Sequence, residues 1–249
     1  MRKALGIIEV RSASGKMEAK LARKLGGKPL LELVVRRVTD CQRLSGAVVL
    51  LADLHEAERV RRLVPPDVEV FAPPARDPLG RFIAALDHFG ADSMVRICAE
   101  HPFVDPVLID RLVNTADAHP HCDYISYALS DGRPAILSQV GMLAEWCSAQ
   151  ALRTAHRDAR SHAAREHVTE YLYAHPERFQ VRLIPLPAEL DRDDLRLKIN
   201  REEDWEHAQA IYEAIGHDES DWQRITDFLD HQPALRRRMA TLNRADTGV

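Results

Sequence analysis

The length and composition of the chain exclude several classes of protein. At 249 residues, with 45% hydrophobic and 29% charged residues, it has the make-up of an ordinary globular protein that can bury a sizeable core. Its formal net charge of -4 gives no global basic field, which argues against non-specific nucleic-acid binding. No apolar run reaches the roughly 18 residues that a membrane span requires.

The cysteines and the amino terminus bear on the cellular compartment. Cys41, Cys98, Cys122 and Cys147 lie far apart without a C-x-x-C pair, so we expect reduced packing residues rather than a disulfide framework. The opening stretch MRKALGIIEV passes directly into a strand-like run and lacks a signal-peptide cleavage pattern. We therefore expect a cytoplasmic protein.

Short apolar runs alternate with helical patterns over the first half of the chain. The runs ALGIIEV, GAVVLLAD, VEVFAP and DSMVRICAE predict buried strands, and PLLELVVRRVTDC, HEAERVRRLV and PLGRFIAALDHFG predict the helices between them. This alternation predicts parallel strands with helices on both faces of the sheet. Pro29 suits the first turn of a helix, and Asp77-Pro78 suits a cap followed by a first-turn proline.

The pattern loosens after residue 120. CDYISYAL and AILSQVGMLAEW predict strands joined by the turn SDGRP, followed by a helix from about Ala149. REHVTEYLYAHPERF predicts a helix that stops near His175-Pro176, QVRLIPL and LRLKIN predict strands, and REEDWEHAQAIYEAI predicts a helix. The final stretch, DWQRITDFLDHQPALRRRMATLN, predicts one or two more helices. Since no repeat, linker or low-complexity segment interrupts the chain, we expect residues 1–249 to form a single domain, with a C-terminal helical extension at about 217–246.

The stretch VRSASGKMEAKL, which opens at Val10, is similar to a phosphate-binding loop but lacks two of its positions. The usual ATP/GTP loop needs a glycine where Val10 stands and a Ser or Thr where Met17 stands. Because ligands of an open parallel sheet bind beyond the carboxyl ends of its strands, Arg11, Lys16 and Lys20 still suit a chain folded around a triphosphate. A solvated basic loop is the alternative.

Polar side chains also follow the later predicted strands. Arg76 and Arg81 lie in PPARDPLGRF after the third strand, and Glu100 lies in RICAEHPFVDP after the fourth. A carboxylate at a strand end is where an α/β enzyme holds Mg²⁺ against substrate phosphates, and a surface acid is the alternative. Asn200 ends another predicted strand, close to Lys198.

Two further patterns are weak. His156, His162 and His167 lack the i, i+4 pairing of H-E-x-x-H, which argues against a zinc site. The arginine run at 236–238 suits a solvated helix face better than an RNA contact.

Several segments, taken in order, resemble the SpsF-type cytidylyltransferases, which are relatives of the CMP-sialic acid and CMP-Kdo synthetases. That family opens with A-R-x-x-S-x-R-L-P-x-K before GGKPLLE, and here VRSASGKMEAK precedes GGKPLLELVVRRV. Later family motifs are similar to DPLGRFIAALDHFGADSMVR, AEHPFVDP, GMLAEWCSAQAL, REHVTEYLYAHPERF and LRLKINREEDWEHAQAIYEAI. The resemblance covers nearly the whole chain, and the combination of motifs is far more specific than any one of them.

The resemblance implies a nucleotidyltransferase with a Rossmann-like, three-layer α/β sandwich and a mostly parallel central sheet. It implies transfer of CMP from CTP to a sugar-derived or similar acidic or phosphorylated acceptor, with release of pyrophosphate and with Mg²⁺ as cofactor. The setting would be the synthesis of a surface polysaccharide or of another glycan or metabolite. The resemblance implies that CTP and a small-molecule acceptor are the partners, and it allows a homodimer. It implies no binding to nucleic acid or to a membrane.

The resemblance also implies roles for particular residues. The catalytic cations are Arg11, Lys16 and Lys20. The nucleotide-binding residues are Val10, Ser12, Ala13, Ser14, Gly15, Arg76, Arg81 and Ala99. The acceptor-binding residues are Glu145, Glu166 and His167, and the metal ligands are Glu100 and Asn200.

Four positions depart from the family pattern where the chemistry is expected. Lys16 replaces an Arg, Glu18 a Pro, Glu100 the first metal-binding Asp, and Asn200 the second. An amide in place of a carboxylate removes a ligand charge, so Mg²⁺ affinity should fall unless another acid compensates. The ammonium of Lys198 could occupy the position that the metal cation normally takes in the family. The alternatives are a family member that has lost catalysis and binds nucleotide or sugar as a subunit, and a transferase of another type on a similar sheet.

Overall fold

Strands and helices alternate through the computed structural model, which describes residues 3–11, 15–216 and 220–247, with the backbone alone at 15, 16, 163 and 247. The strands are β1 (Ala4–Glu9), β2 (Lys24–Leu25), β3 (Lys28–Pro29), β4 (Gly46–Leu50), β5 (Glu69–Phe71), β6 (Ser93–Cys98), β7 (Tyr124–Ala128), β8 (Glu145–Ser148) and β9 (Val181–Pro185). The helices are α1 (Gly15–Ala22), α2 (Leu30–Thr39), α3 (Ala57–Arg61), α4 (Pro78–Phe89), α5 (Pro106–Ala118), α6 (Ala149–Asp158), α7 (His162–Glu166), α8 (Glu170–Tyr173), α9 (Glu202–Ile215), α10 (Trp222–Asp230) and α11 (Pro233–Thr247).

Seven of the strands form one twisted sheet in the order β5-β4-β1-β6-β8-β7-β9. The pairs β4–β5, β1–β4, β1–β6 and β7–β9 are parallel, whereas β8 runs antiparallel to both of its neighbours. The remaining two strands form a short antiparallel hairpin. The prediction of a mostly parallel central sheet is confirmed.

Alternate residues of β1 face different helical layers. Leu5 and Ile7 belong to an apolar cluster with Phe82 of α4, whereas Ile8 belongs to a second cluster with Val34 of α2. Both clusters are buried, because a strand covered on two faces must be apolar on both. The predicted three-layer α/β sandwich is confirmed.

Many of the predicted elements are present where the sequence placed them. Asp77 caps α4 by accepting a hydrogen bond from the Gly80 amide at 2.7 Å, with Pro78 in the first turn, as predicted. Pro29 occupies the N-cap of α2 rather than its first turn, a difference of one residue. The tail forms two helices, and all four cysteines are free thiols, as expected. The single domain with a C-terminal extension stays a prediction.

Three predicted elements differ from the structure. In AILSQVGMLAEW, a short 3-10 helix (Ala135–Leu137) and a loop precede β8, so the strand is confined to four residues. LRLKIN forms no strand and lies outside the sheet, with bends at Lys198 and Asn200, and the Leu197 amide donates to the Gln139 carbonyl. REHVTEYLYAHPERF forms two short helices, α7 and α8, instead of one. Tertiary contacts rather than local propensity shape these regions, as in the bond from the Thr169 hydroxyl to the Glu145 carboxylate.

A glycine allows two of these irregular segments to approach each other. Gly141 has a φ of +67°, and a Cβ at this position would lie 2.3 Å from the backbone nitrogen of Lys198. Only glycine accommodates both the left-handed conformation and such a close contact. The loop before β8 therefore packs directly on the segment that leads to Asn200.

A buried arginine links α11, the last helix, to the segment that leads to Asn200. The guanidinium of Arg196 is fully buried and bonds the carboxylates of Asp204 in α9 and Asp246 in α11, each at 2.5 Å. Asp204 also accepts the amides of Asn200 at 2.9 Å and Arg201 at 3.0 Å. Burial opposes ionisation of Asp204, but these hydrogen bonds outweigh it and hold the pKa of the carboxyl below its ordinary 3.8.

Across residues 3–11, 15–216 and 220–247, every helix is too short or too polar to cross a membrane.

Candidate nucleotide-binding site

Residues from three distant parts of the chain contact one another: a lysine from the amino-terminal stretch, a glutamate from the middle, and a backbone carbonyl from the last third. Lys20, in the last turn of α1, donates hydrogen bonds to the carboxylate of Glu100 and to the carbonyl oxygen of Ile199. The side chains of Lys20 and Glu100 are 20% and 17% exposed, so both are accessible to a ligand from one side. The convergence that the motifs predict for the two stretches is present in the fold.

Backbone hydrogen bonds between neighbouring strand ends build this convergence. The Ala99 amide donates to the Glu9 carbonyl at 3.1 Å, and the Ile199 amide donates to the Glu100 carbonyl at 3.0 Å. The Val10 amide donates to the Leu50 carbonyl at 3.0 Å. Val10 and Ala99 are themselves buried, so they offer a ligand mainly their backbone.

A chain of buried charges lies beneath these strand ends. Arg96 of β6 bonds Glu9 of β1 at 2.8 Å and Glu145 of β8 at 2.5 Å. Glu145 also accepts the Tyr124 hydroxyl at 2.6 Å and the Thr169 hydroxyl at 2.8 Å. Burial opposes the charge of Arg96, but the two carboxylates outweigh it and raise the pKa of the guanidinium above its ordinary 12.5.

This network determines what Glu145 can contact. Its carboxylate is fully buried and is surrounded by donors from Arg96, Tyr124 and Thr169. A buried carboxylate needs such partners because desolvation is costly. The predicted contact between Glu145 and an acceptor stays a prediction, and it would have to displace one of these donors.

The other two predicted acceptor residues lie on the surface. Glu166 and His167 are exposed at the end of α7, where Glu166 lies 3.6 Å from His162. The structure links their segment to the buried network through Thr169, two residues after His167. Arg165 fastens α7 to the start of α4 through a 2.8 Å bond to Asp77.

The remaining predicted nucleotide-binding residues divide into three groups. Arg11 is exposed, with its Nε 3.5 Å from the Glu9 carboxylate. Arg76 is exposed and Arg81 half-buried, on either side of the α4 cap. Ser12, Ala13 and Ser14 lie outside the described residues, as do the side chains of Gly15 and Lys16.

Sequence reasoning missed several residues that the structure places in or beneath the site. His101 is buried, and its Nδ1 has no hydrogen-bond partner among the residues that the structure describes. Burial, with the charges of Lys198 and Arg11, lowers the pKa of His101 to about 3. In the sequence, Arg96 and Thr169 are members of the GADSMVR and REHVT motifs, and nothing in those motifs indicates their contacts. Their roles depend on cross-strand register and on a loop contact, which no local pattern reveals.

Glu100 and Asn200 carry the kind of oxygen atoms that Mg²⁺ prefers when it brings its own phosphate and water ligands. Asp105 caps α5 and accepts the Trp222 amide, and Glu18 pairs with Arg59, so neither supplements Glu100. Within the described ranges, no three His, Cys, Asp or Glu residues form a metal-binding group. One carboxylate with an amide oxygen from Asn200 suits Mg²⁺, which commonly takes one or two protein ligands beside substrate phosphates.

Several solved structures share this fold. A cytidylyltransferase from Leptospira borgpetersenii serovar Hardjo-bovis aligns with a TM-score of 0.78 at 20% identity, over 94% of this chain and 95% of that one. The structure of CMP:2-keto-3-deoxy-manno-octonic acid synthetase complexed with CTP aligns with a TM-score of 0.63 at 13% identity, over 85% of this chain and 99% of that one. At such identities these likenesses define the fold.

The sequence comparisons define the family. The profile described as Cytidylyltransferase matches residues 5–223. The spore coat polysaccharide biosynthesis protein SpsF of Bacillus subtilis is 27% identical over 222 residues, which are 87% of this chain and 89% of that protein. The chain belongs to the cytidylyltransferase family and is therefore a nucleotidyltransferase, which confirms the resemblance drawn from its motifs.

Proposed function

We propose that this protein transfers CMP from CTP to a sugar-derived acceptor that carries an acidic, phosphorylated or hydroxyl oxygen. The observation that carries the proposal is the convergence of the partly exposed Lys20 and Glu100 side chains with the backbone carbonyl of Ile199. The name of the Bacillus subtilis relative, which refers to spore coat polysaccharide, and the CTP in a structural neighbour support a glycan pathway and a cytidine nucleotide. A cytoplasmic location and a homodimer stay predictions.

In this reaction the acceptor oxygen attacks the α-phosphorus of CTP. A new phosphorus–oxygen bond forms, the bond from the α-phosphorus to the bridging oxygen of the β-phosphate breaks, and pyrophosphate leaves. The protein orients the two substrates and neutralises charge, with no covalent protein intermediate. Lys20 stabilises charge that develops near the α-phosphate, and Arg11 and Lys16 bind the β- and γ-phosphates.

Other residues orient the nucleotide and the acceptor. Val10, Ala99, Arg76, Arg81 and residues 12–15 take the role of binding the nucleotide, and Glu145, Glu166 and His167 take that of binding the acceptor. Glu100 and Asn200 would hold a Mg²⁺ ion, which supplies charge neutralisation for the phosphates.

The direct test is release of pyrophosphate. We expect it when the protein is incubated with CTP, Mg²⁺ and an acceptor from a panel of keto-sugar acids and sugar phosphates, and we expect much less with ATP, GTP or UTP. A nucleotide other than CTP giving the fastest release would contradict the proposal. If CTP raises the melting temperature but no acceptor yields pyrophosphate, the protein serves as a nucleotide-binding subunit instead.

Asn200→Asp tests the proposed metal ligand. The variant adds a carboxylate directly after Ile199, whose amide bonds the Glu100 carbonyl. Because Mg²⁺ prefers charged oxygen ligands, we expect half-saturation of CTP binding at about tenfold lower Mg²⁺ concentration. Titration calorimetry of CTP at a series of Mg²⁺ concentrations measures this. The control is Asn114→Asp, an exposed position on α5. An unchanged Mg²⁺ dependence in Asn200→Asp would show that residue 200 is not a metal ligand.

A further inference from the structure

Glu166 and His167 are exposed and open a short turn, residues 166–169, that joins α7 to α8. The residue before them, Arg165, is fixed by three hydrogen bonds. Its guanidinium donates to the Asp77 carboxylate at 2.8 Å, to the carbonyl oxygen of Ala159 at 3.0 Å, and to a backbone carbonyl of α6 at 2.9 Å. The start of the turn is therefore joined to α4 and α6.

The turn ends in two buried residues, Val168 and Thr169. Val168 belongs to the same apolar cluster as Tyr124 of β7. Thr169 is 3% exposed and occupies the N-cap of α8, where a threonine hydroxyl commonly accepts a backbone amide of its own helix. Within the described residues, this hydroxyl caps no amide of α8 and instead donates to the Glu145 carboxylate at 2.8 Å. The end of the turn is thus anchored to the central sheet.

The bond from Thr169 begins a chain of polar contacts that reaches the amino-terminal strand. Thr169 and Arg96 donate to the same oxygen of Glu145, its Oε1. Arg96 also bonds Oε2 of Glu9 at 2.8 Å, and the Nε of Arg11 lies 3.5 Å from that oxygen. The three buried members lie on the neighbouring strands β1, β6 and β8. The position of the turn is therefore tied to the strand that leads into the nucleotide-binding stretch.

We propose that Thr169 is a positioning residue for the acceptor side of the site. Its bond to Glu145 holds Glu166 and His167 in a fixed place relative to the strand ends that bind the nucleotide. This rests on the proposed function in assigning the exposed pair to the acceptor. Because reaction between two bound substrates depends steeply on their orientation, loss of this bond should impair use of the acceptor while leaving nucleotide binding intact.

The first experiment compares Thr169→Val, which keeps the shape of the side chain but removes the donor, with Thr169→Ser, which keeps the donor. For Thr169→Val we expect kcat/KM for the acceptor to fall by about 10- to 100-fold, and the Kd of CTP in titration calorimetry to stay within about twofold of wild type. Thr169→Ser should retain most of the activity. The tetrad of donors around Glu145 loses one member only, since Arg96 and Tyr124 remain.

The matched control is Thr226→Val. Thr226 is also 3% exposed, but its hydroxyl bonds the carbonyl oxygens of Trp222 and Gln223 in its own helix, α10. The kinetics with the acceptor should therefore match those of wild type in this variant.

The second experiment is hydrogen exchange of the amides in residues 164–170, which needs no catalysis. We expect exchange to be about tenfold faster in Thr169→Val than in wild type, and close to wild type in Thr169→Ser and Thr226→Val. If exchange in Thr169→Val is unchanged, the hydroxyl does not hold the turn and the inference is wrong. Equal losses of activity in the Val and Ser variants would also contradict it.

The two experiments separate this inference from the proposed function. If the turn exchanges faster in Thr169→Val but wild type releases no pyrophosphate with any acceptor, Thr169 does hold the turn and the proposed function has failed. A melting curve for each variant shows whether it is folded, and Thr169→Ala gives the same comparison if the Val variant does not fold.

Discussion

Replacing Lys20 by methionine is expected to reduce kcat/KM for pyrophosphate release from CTP by about 10²–10³-fold, the usual effect of removing one preorganised donor from a transition state. The Lys20 ammonium bonds the Glu100 carboxylate and the Ile199 carbonyl, so its position is determined before substrate arrives. Methionine keeps the length of the side chain and removes its charge. The measurement is steady-state kinetics with the acceptor that the pyrophosphate assay identifies.

Two other variants test the cause of this loss. Lys3→Met removes a lysine from the opposite end of β1 and should leave kcat/KM unchanged. Lys20→Arg keeps the charge but replaces a compact ammonium by a planar fork, so an intermediate rate is expected. Because Glu100 is partly exposed, it remains solvated in Lys20→Met, and the melting temperature should change little. If the activity of Lys20→Met stays within a few-fold of wild type, Lys20 does not stabilise the transition state.

Arg196→Met is expected to lower the free energy of unfolding by about 3–5 kcal/mol, because it leaves the buried carboxylate of Asp204 without its partner. Arg196 and Asp204 are both buried, and Arg196 also anchors Asp246 of α11. Urea denaturation followed by circular dichroism measures the change. The double variant Arg196→Met/Asp204→Asn should recover part of the loss, since it removes the uncompensated charge.

The control is Arg133→Met, which breaks an exposed ion pair with Asp131 and should leave the free energy of unfolding nearly unchanged. The pH dependence gives a second check. Since the folded-state pKa of Asp204 lies below its ordinary 3.8, its stabilising contribution is present above about pH 3.8 and is lost as the pH falls through the lower value. The difference between wild type and Arg196→Met should therefore be constant near neutral pH and should narrow below pH 4. A difference independent of pH would contradict this account.

The parallel half of the fold was predictable from periodicity alone. Short β-branched runs such as ALGIIEV are buried on both faces, and the predicted helices between them supply the two outer layers. Past residue 120 the same reasoning failed in part, because there the backbone follows tertiary contacts. Gly141 brings a loop onto Lys198, and Thr169 leaves the helical path to bond the buried Glu145.

The convergence of Lys20 with Glu100 was predictable, because residues that follow parallel strands share one edge of a sheet. The buried network of Glu9, Arg96 and Glu145 was not. Its members lie on three strands whose order in the sheet is non-sequential, so their register cannot be derived from spacing. The half-buried position of Lys198 likewise depends on how the 197–199 segment packs.

The antiparallel strand β8 has a consequence for how the protein reaches its native state. Arg96 lies directly across from Glu145, and Trp146 is across from Val95. Shifting β8 by a single residue would bring the indole opposite the guanidinium and turn the carboxylate toward the apolar layer on the other face. In that register Arg96 would keep Glu9, but the Glu145 carboxylate would be buried among apolar side chains without Arg96, so the Arg96–Glu145 pair disfavours the shifted register.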